Sequence, residues 1–181
     1  MFKKIVRYYA NKRLFKVYQN RPRNAKIKTF NNSKSVGIIW NPADEGSIET
    51  YEMLRKTLHV KGLKSTGIAY IDSNREMETL TTITHSGFLH RRNVRWFGRP
   101  QTSNGMQFIQ EPFDLLIDLS IIKPVALQYI LVHSQATFKV GWHGAEQNYY
   151  DLNIDITEQP QCRYLMEQVV FYLETINEKV K

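Results

Sequence analysis

Three aspartates stand at or just after the ends of apolar segments, where a carboxylate can meet a ligand. Asp72 follows IAYI, Asp118 ends LLID, and Asp155 ends LNID. In open α/β sheets, ligands bind beyond the carboxyl ends of the strands, so these carboxylates could converge on a cation or a polar ligand. An aspartate after a strand also commonly caps a turn or the next helix. Both roles stay open on the sequence, and capping is the more common one.

His143 is a fourth candidate for such a pocket, because two glycines frame it in GWHG. Zinc sites need several cysteines or histidines at ligand spacing, and the chain has one cysteine and no histidine pair spaced by four on a predicted helix. Residues 41–46, after the first predicted strand, hold one glycine and two acids and do not resemble a phosphate-binding loop. We therefore expect no metal, no cofactor and no known catalytic motif. An enzymatic role stays open but is disfavoured.

The charge distribution points to a different chemistry. Residues 1–34 contain eleven Lys or Arg and no acid, whereas residues 35–181 hold 14 basic and 17 acidic residues. A concentrated positive segment attracts an anionic partner more effectively than an evenly spread charge does. The proposed contacts in this segment are Lys3, Lys4, Arg7, Lys12, Arg13, Lys16, Arg21 and Arg23.

A second basic segment, HRRNVRWFGR, covers residues 90–99. Arginines interleaved with aromatic rings are typical of contacts to single-stranded nucleic acid, in which phosphates are paired and bases are stacked. The candidates here are Arg91, Arg92, Arg95 and Trp96. The alternative is an edge strand with a solvated arginine face, which would also prevent edge-to-edge pairing.

Three partners suit the N-terminal segment. RNA or the ribosome would explain many Lys and Arg with tyrosines among them, and it ranks first. An anionic membrane surface would suit an amphipathic helix, and docking on a protein or on the rest of the chain is the third option. In residues 2–10 the apolar side chains share one face, but Leu14, Phe15 and Tyr18 lie opposite, so we expect no single apolar face along this helix.

Hydrophobic periodicity predicts alternating strands and helices from Ser35 onward. The predicted strands are 35–40, 66–71, 93–97 at an edge, 113–119, 138–142 and 152–156, with a short one near Ile27. The predicted helices are 2–18, a second helix with Ser47 as its N-cap and Gly62 at its end, 75–85, 125–133 after Pro124, and 160–179. Residues 99–112 are predicted to form a loop. This pattern indicates an α/β fold, a three-layer Rossmann-like sandwich with a mostly parallel sheet. Residues 1–34 form a basic helix and linker, and residues 35–181 a single domain.

The cellular compartment is predicted from what the sequence lacks. Its single cysteine, Cys162, allows no internal disulfide. No apolar run reaches the ~20 residues of a membrane span, and the N-terminus does not resemble a secretory signal. We therefore expect a cytoplasmic protein.

The segments FDLLIDLS and YDLNIDIT, residues 113–120 and 150–157, share one pattern, which two similar strands of one sheet would explain. With SVGIIW, the stretch KPVALQYILVHSQATFKVGWHG and the closing LMEQVVFYLETIN, the chain resembles an uncharacterised family of small Bacteroidetes proteins, which brings no assigned activity. Residues 113–141 are also similar to a half-fold of heptosyltransferase-like glycosyltransferases. That resemblance implies at most a shared half-fold, and it leaves a degenerate or orphan sugar- or nucleotide-binding enzyme as an alternative.

Overall fold

The structure, a computed structural model, describes residues 2–21, 23–72, 80 and 83–176, with side chains from Ile5 onward. Its centre is one sheet of six strands, all parallel, in the order β3-β2-β1-β4-β5-β6. The strands are β1 (Ser35–Trp40), β2 (Lys64–Ile71), β3 (Ser86–His90), β4 (Leu115–Asp118), β5 (Phe138–Gly141) and β6 (Leu152–Asn153). This order is that of the doubly wound Rossmann folds, so the predicted fold class is confirmed.

Helices cover both faces of the sheet. They are α1 (Phe2–Asn20), α2 (Ser47–Val60), α3 (Ser103–Gln110), α4 (Val125–His133) and α5 (Cys162–Thr175). Successive strand residues point to opposite faces, so Ile38 belongs to the core layer under α2 and α5, and Ile39 to the layer under α1, α3 and α4. Five residues of β1 are buried, as expected for a strand covered on both faces.

The N-terminal helix packs against α4 and against the turn at Trp96–Gly98. Ala10 and Leu14 are buried, and Val6 and Val17 are partly buried, at the spacing of one helical face. Ile5 and Tyr9, which belong to the apolar set of residues 2–10, lie outside this buried face and are exposed. The apolar side chains therefore do not form one face along the helix, as expected. Ala10, whose small side chain adds little to a hydrophobic pattern, completes the buried face.

The largest departures from the predicted elements lie between β2 and β4. The strand β3 was not predicted, and the predicted edge strand 93–97 is replaced by two short 3-10 turns (Arg91–Asn93 and Trp96–Gly98) with one antiparallel bridge, Val94 to Pro100. The predicted loop 99–112 contains α3, whose first turn is capped by the Thr102 hydroxyl. The helix predicted over 75–85 falls largely outside the described residues.

Other element ends differ by a few residues. The α4 bounds are confirmed, Gly62 follows α2 with φ +74 as expected, and the N-cap of α2 is Gly46, one residue before the predicted Ser47. Residues 23–29 form neither a helix nor a strand, so the strand predicted near Ile27 is wrong. Within the described residues α5 is shorter than the predicted helix over 160–179.

Candidate nucleic-acid interface

Some basic residues of the N-terminal segment anchor it to the rest of the chain. Arg7 forms an ion pair with Glu146, and Arg23 forms one with Asp151. The Asn11 amide also donates to Glu146, at 2.9 Å. These contacts hold both α1 and the following linker on the segment between β5 and β6.

Lys28 adds a further anchor through Asp114, at 2.8 Å. Desolvation opposes ionisation of Asp114, but hydrogen bonds from Lys28 and from the backbone N–H groups of Lys34 and Ser35 outweigh it and lower the pKa of this carboxyl. The Asp114 carboxylate therefore ties the linker to the start of β1.

Cationic side chains also bind the carboxyl end of α4, where backbone carbonyls carry the negative end of the helix dipole. Arg21 donates to the His133 carbonyl at 2.7 Å, and the buried Lys139 ammonium donates to the carbonyl of Leu131. Burial, with repulsion from Arg23, lowers the pKa of Lys139 to about 7. The end of α4 thus serves as the docking point of the linker.

Other basic residues of α1 point to solvent. Lys12, Arg13 and Lys16 are exposed, and they share this outer face with Tyr8 and Tyr9, which are 63% and 58% exposed. No ion pair with an acid is formed by these three cations within the described part of the chain. The side chains of Lys3 and Lys4 lie outside the described residues.

The turn at residues 95–99, called here the arginine turn, lies beside this face. The Arg95 N–H donates to the Arg99 carbonyl at 2.9 Å, which closes the turn, and Phe97 at its tip has φ +67, an uncommon conformation for a bulky side chain. Trp96 is 71% exposed. The Arg13 guanidinium lies over the Phe97 ring, 5.4 Å from its centre. The structure therefore brings the two basic segments of the sequence together.

Arg91 and Arg92 are exposed and precede the arginine turn. The Arg91 guanidinium lies 3.9 Å from Asp72, which also accepts a hydrogen bond from the Tyr70 hydroxyl at 3.2 Å. Asp72 is thus placed beside the basic segment.

Gly98 fixes the position of the arginine turn on α4. It has φ +86, and a Cβ atom there would lie 2.5 Å from the Val125 carbonyl oxygen. We expect Gly98→Ala to lower the free energy of unfolding by more than about 1 kcal/mol, through backbone strain and this clash. Gly62→Ala is the matched control, since Gly62 also has positive φ but open space around it. Urea unfolding of both variants measures the difference, and equal losses would contradict the packing role.

Asp118 lies at the centre of a buried polar network at the end of β4. It accepts from the Ser120 N–H at 2.9 Å, from the Tyr150 hydroxyl at 2.6 Å and from the Lys123 ammonium at 3.2 Å. Burial raises the pKa of Tyr150 well above its usual value, and the Asp118 charge adds to this; burial lowers the pKa of Lys123, against the attraction of Asp118. The network is closed, because its donors and acceptors satisfy one another.

The crevice beyond β1 and β4 is where a Rossmann-like sheet usually binds its ligand. In this chain Asp44 accepts from the N–H groups of Ile121 and Ile122, at 2.7 and 3.1 Å. The Asn41 amide donates to the Ile122 carbonyl at 3.2 Å. Burial raises the pKa of Asp44, with repulsion from Asp118 in the same direction. These contacts join the two loops across the crevice.

His143 and Asp155 lie beyond β5 and β6. The His143 N–H donates to the Asn153 side chain at 3.0 Å, and its ring nitrogen Nδ1 is 3.0 Å from the Glu146 carbonyl. Asp155 accepts from the Thr157 N–H and hydroxyl, which lower its pKa. In the described residues no hydrogen bond or ion pair joins any two of the four pocket candidates, Asp72, Asp118, His143 and Asp155.

The repeated sequence pattern has a structural cause. Asp118 and Asp155 each accept from the N–H and hydroxyl of the residue two positions later, Ser120 and Thr157. The earlier aspartates of the two copies, Asp114 and Asp151, hold the linker. The repeat was recognised in the sequence, but the role of these two aspartates as anchors was not predicted. The available signal was that Asp114 and Asp151 occupy the same position in the two copies of the pattern.

Among the described helices, none combines the length and the apolarity needed to cross a bilayer. No group of three or more His, Cys, Asp or Glu in the described ranges is arranged to hold a metal ion. A comparison with curated proteins finds no match. A family model matches residues 3–176, nearly the whole chain, and the chain therefore belongs to DUF6913, a family of unknown function.

Proposed function

We propose that this protein binds single-stranded RNA, free or in the ribosome, without catalysing a reaction. The binding surface, called here the basic surface, consists of Lys12, Arg13, Lys16, Arg95, Arg99 and Trp96. One observation carries the proposal: α1 and the arginine turn pack side by side, so two basic segments far apart in the sequence present their charges together.

The charges of this surface are available to phosphates. The five cations form no ion pair with an acid in the described residues, whereas Arg7, Arg23 and Lys28 are already paired. Neutralising phosphates with Lys and Arg releases condensed counterions, which supplies most of the sequence-independent affinity for nucleic acid.

Exposed aromatic rings favour RNA over a membrane. Tyr8, Tyr9 and Trp96 can stack on unpaired bases, and each stacked base adds about 1–3 kcal/mol. A membrane-surface helix would instead need a free apolar face. The apolar face of α1 is occupied, because Ala10 and Leu14 are buried against the fold.

A sugar- or nucleotide-binding enzyme is the less favoured alternative. The half-fold that resembles glycosyltransferases corresponds to β4, α4 and β5, where Asp118 is buried in a closed network. The crevice that would bind a nucleotide is bridged by Asp44. A cytoplasmic location accompanies the RNA proposal, and the buried thiol of Cys162 suits a reducing compartment.

The proposal is tested by removing charge from each half of the basic surface. The variants are Lys12→Gln with Lys16→Gln on α1, and Arg95→Gln with Arg99→Gln on the turn. We expect each pair of substitutions to weaken binding of a single-stranded RNA of about ten nucleotides by about tenfold at ~0.1 M salt, because two phosphate contacts are lost. Fluorescence anisotropy measures the affinity of the full chain and of both variants.

The matched control carries the same loss of charge away from the basic surface. Lys56→Gln with Lys64→Gln is suitable, since Lys56 is an exposed residue of α2, on the opposite face of the sheet, and Lys64 is an exposed residue at the start of β2. We expect this control to bind RNA nearly as the parent does. Equal losses of RNA affinity in all three variants would show that only the net charge of the protein matters. That result would contradict the proposed surface. Binding to anionic vesicles in preference to RNA would replace RNA by a membrane as the partner.

A further inference from the structure

We propose that a cavity lined in part by the basic surface accepts one unpaired nucleotide, with its base among aromatic rings and its phosphate on arginines. This inference rests on the proposed function, and it identifies a single nucleotide as the part of the RNA that the cavity recognises. The cavity has a volume of about 240 Å³ and lies between α1, α4 and the arginine turn.

Three arginines supply the phosphate contacts. Arg13 from α1 and Arg95 and Arg99 from the turn all line the cavity. The guanidinium group presents a planar set of donors that matches two phosphate oxygens at once. Because the turn is closed by its own backbone hydrogen bonds, Arg95 and Arg99 start from neighbouring fixed positions. Together with Arg13 they bring three positive charges to the lining of an aromatic cavity.

Four rings supply the surface for a base. Trp96 and Phe97 line the cavity from the turn, and Tyr129 and His133 line it from α4. The rings of Tyr129 and His133 are stacked, with their centres 3.8 Å apart and their planes 15° from parallel. Desolvation, together with the nearby cations Arg21, Lys139 and Arg13, lowers the pKa of His133, so this ring is neutral at neutral pH. Flat neutral rings next to arginines are the environment in which single-stranded nucleic acids place their bases.

The size of the cavity limits what can enter. Pockets for drug-sized ligands range from about 300 to 1,000 Å³, and this cavity, at about 240 Å³, is smaller. It therefore suits one base rather than two. A base within a duplex is stacked and paired on both sides, so entry requires an unpaired nucleotide. The cavity would thus give the basic surface its preference for single strands.

Val17 allows the cavity to be filled without changing charge. It lines the cavity from α1 and is partly buried. The variant Val17→Phe places a larger side chain into the space, and Val17→Ala, which enlarges it, is the matched control. The probes are adenosine monophosphate, inorganic phosphate, and single-stranded and duplex RNA of equal length, with affinities measured by calorimetry and anisotropy on the full chain.

We expect the parent protein and Val17→Ala to bind adenosine monophosphate more tightly than phosphate, and Val17→Phe to lose this difference. We also expect Val17→Phe to lose about tenfold in affinity for single-stranded RNA while its affinity for duplex RNA stays unchanged. If Val17→Phe fails to fold, Val17→Leu, which adds less volume at the same position, is used, and it must show the same selective loss.

Two failures are distinguishable. If adenosine monophosphate binds no better than phosphate and Val17→Phe keeps the full preference for single strands, the cavity is not a nucleotide site. The proposed function still stands in that case, provided that the charge variants on α1 and on the turn weaken RNA binding. If those charge variants also bind RNA as the parent does, the proposed function itself fails.

Discussion

Lys123→Met is expected to lower the free energy of unfolding by about 3–5 kcal/mol. The substitution leaves the Asp118 carboxylate, which is 1% exposed, without its cation. Removing one partner of a buried ion pair costs about this much, because the remaining charge stays away from water. The Tyr150 hydroxyl also loses a donor, since the Lys123 ammonium contacts it at 3.0 Å. Urea unfolding with linear extrapolation measures the loss.

Two further variants separate the causes of this loss. Arg163→Met removes one partner of an exposed pair with Glu167 and is expected to cost less than about 1 kcal/mol. Adding Asp118→Asn to Lys123→Met removes the uncompensated charge, so the double variant should recover part of the stability. A loss at Lys123 as small as that at Arg163 would show that the network is not a closed, buried unit.

Leu14→Ala is expected to lower the free energy of unfolding by about 2–5 kcal/mol, the range found when a buried leucine is truncated. Leu14 is 2% exposed and packs in the same core layer as Ile39, Leu127 and Ile130. A helix that was only an appendage of the α/β domain would tolerate this substitution. The control is Ile5→Ala on the same helix, where the side chain is 49% exposed and the expected change is within about 0.5 kcal/mol.

The stability of the Leu14→Ala variant tests whether the basic N-terminal segment is structurally independent of the α/β domain. If Leu14→Ala costs no more than Ile5→Ala, residues 1–34 and 35–181 are independent units. If it costs the expected amount, removal of the basic segment would expose the core, and tests of RNA binding must use substitutions rather than truncation.

The strongly patterned elements could be predicted from the sequence. The apolar run of β1, the proline before α4 and the glycine after α2 are local signals, and the structure agrees with them within a few residues. The helix α3 was missed because Ser103, Asn104 and Gly105 are weak helix formers, and its cap at Thr102 is a single side-chain contact. The apolar segment of β3 was missed because glycine at position 87 is typical of a helix end as well as of a strand.

The candidate site was predictable in its parts but not in its arrangement. The charge count identified both basic segments, since charge can be read directly from residue types. Their adjacency depends on the packing of α1 on α4 through Ala10 and Leu14, and that contact leaves no signal in the spacing of the arginines. The buried partners of Asp118 were missed for the same reason, because Tyr150, which precedes β6, meets Asp118 only when β4, β5 and β6 lie side by side in the sheet.

The salt dependence of RNA binding tests the role of the basic surface most directly. For single strands, the logarithm of the binding constant falls with the logarithm of salt concentration by about 0.7 for each phosphate neutralised. We therefore predict a steep dependence for the parent protein, and a slope smaller by about 1 to 1.5 in Lys12→Gln with Lys16→Gln. A flat response, or a slope that these substitutions leave unchanged, would contradict RNA binding through this surface.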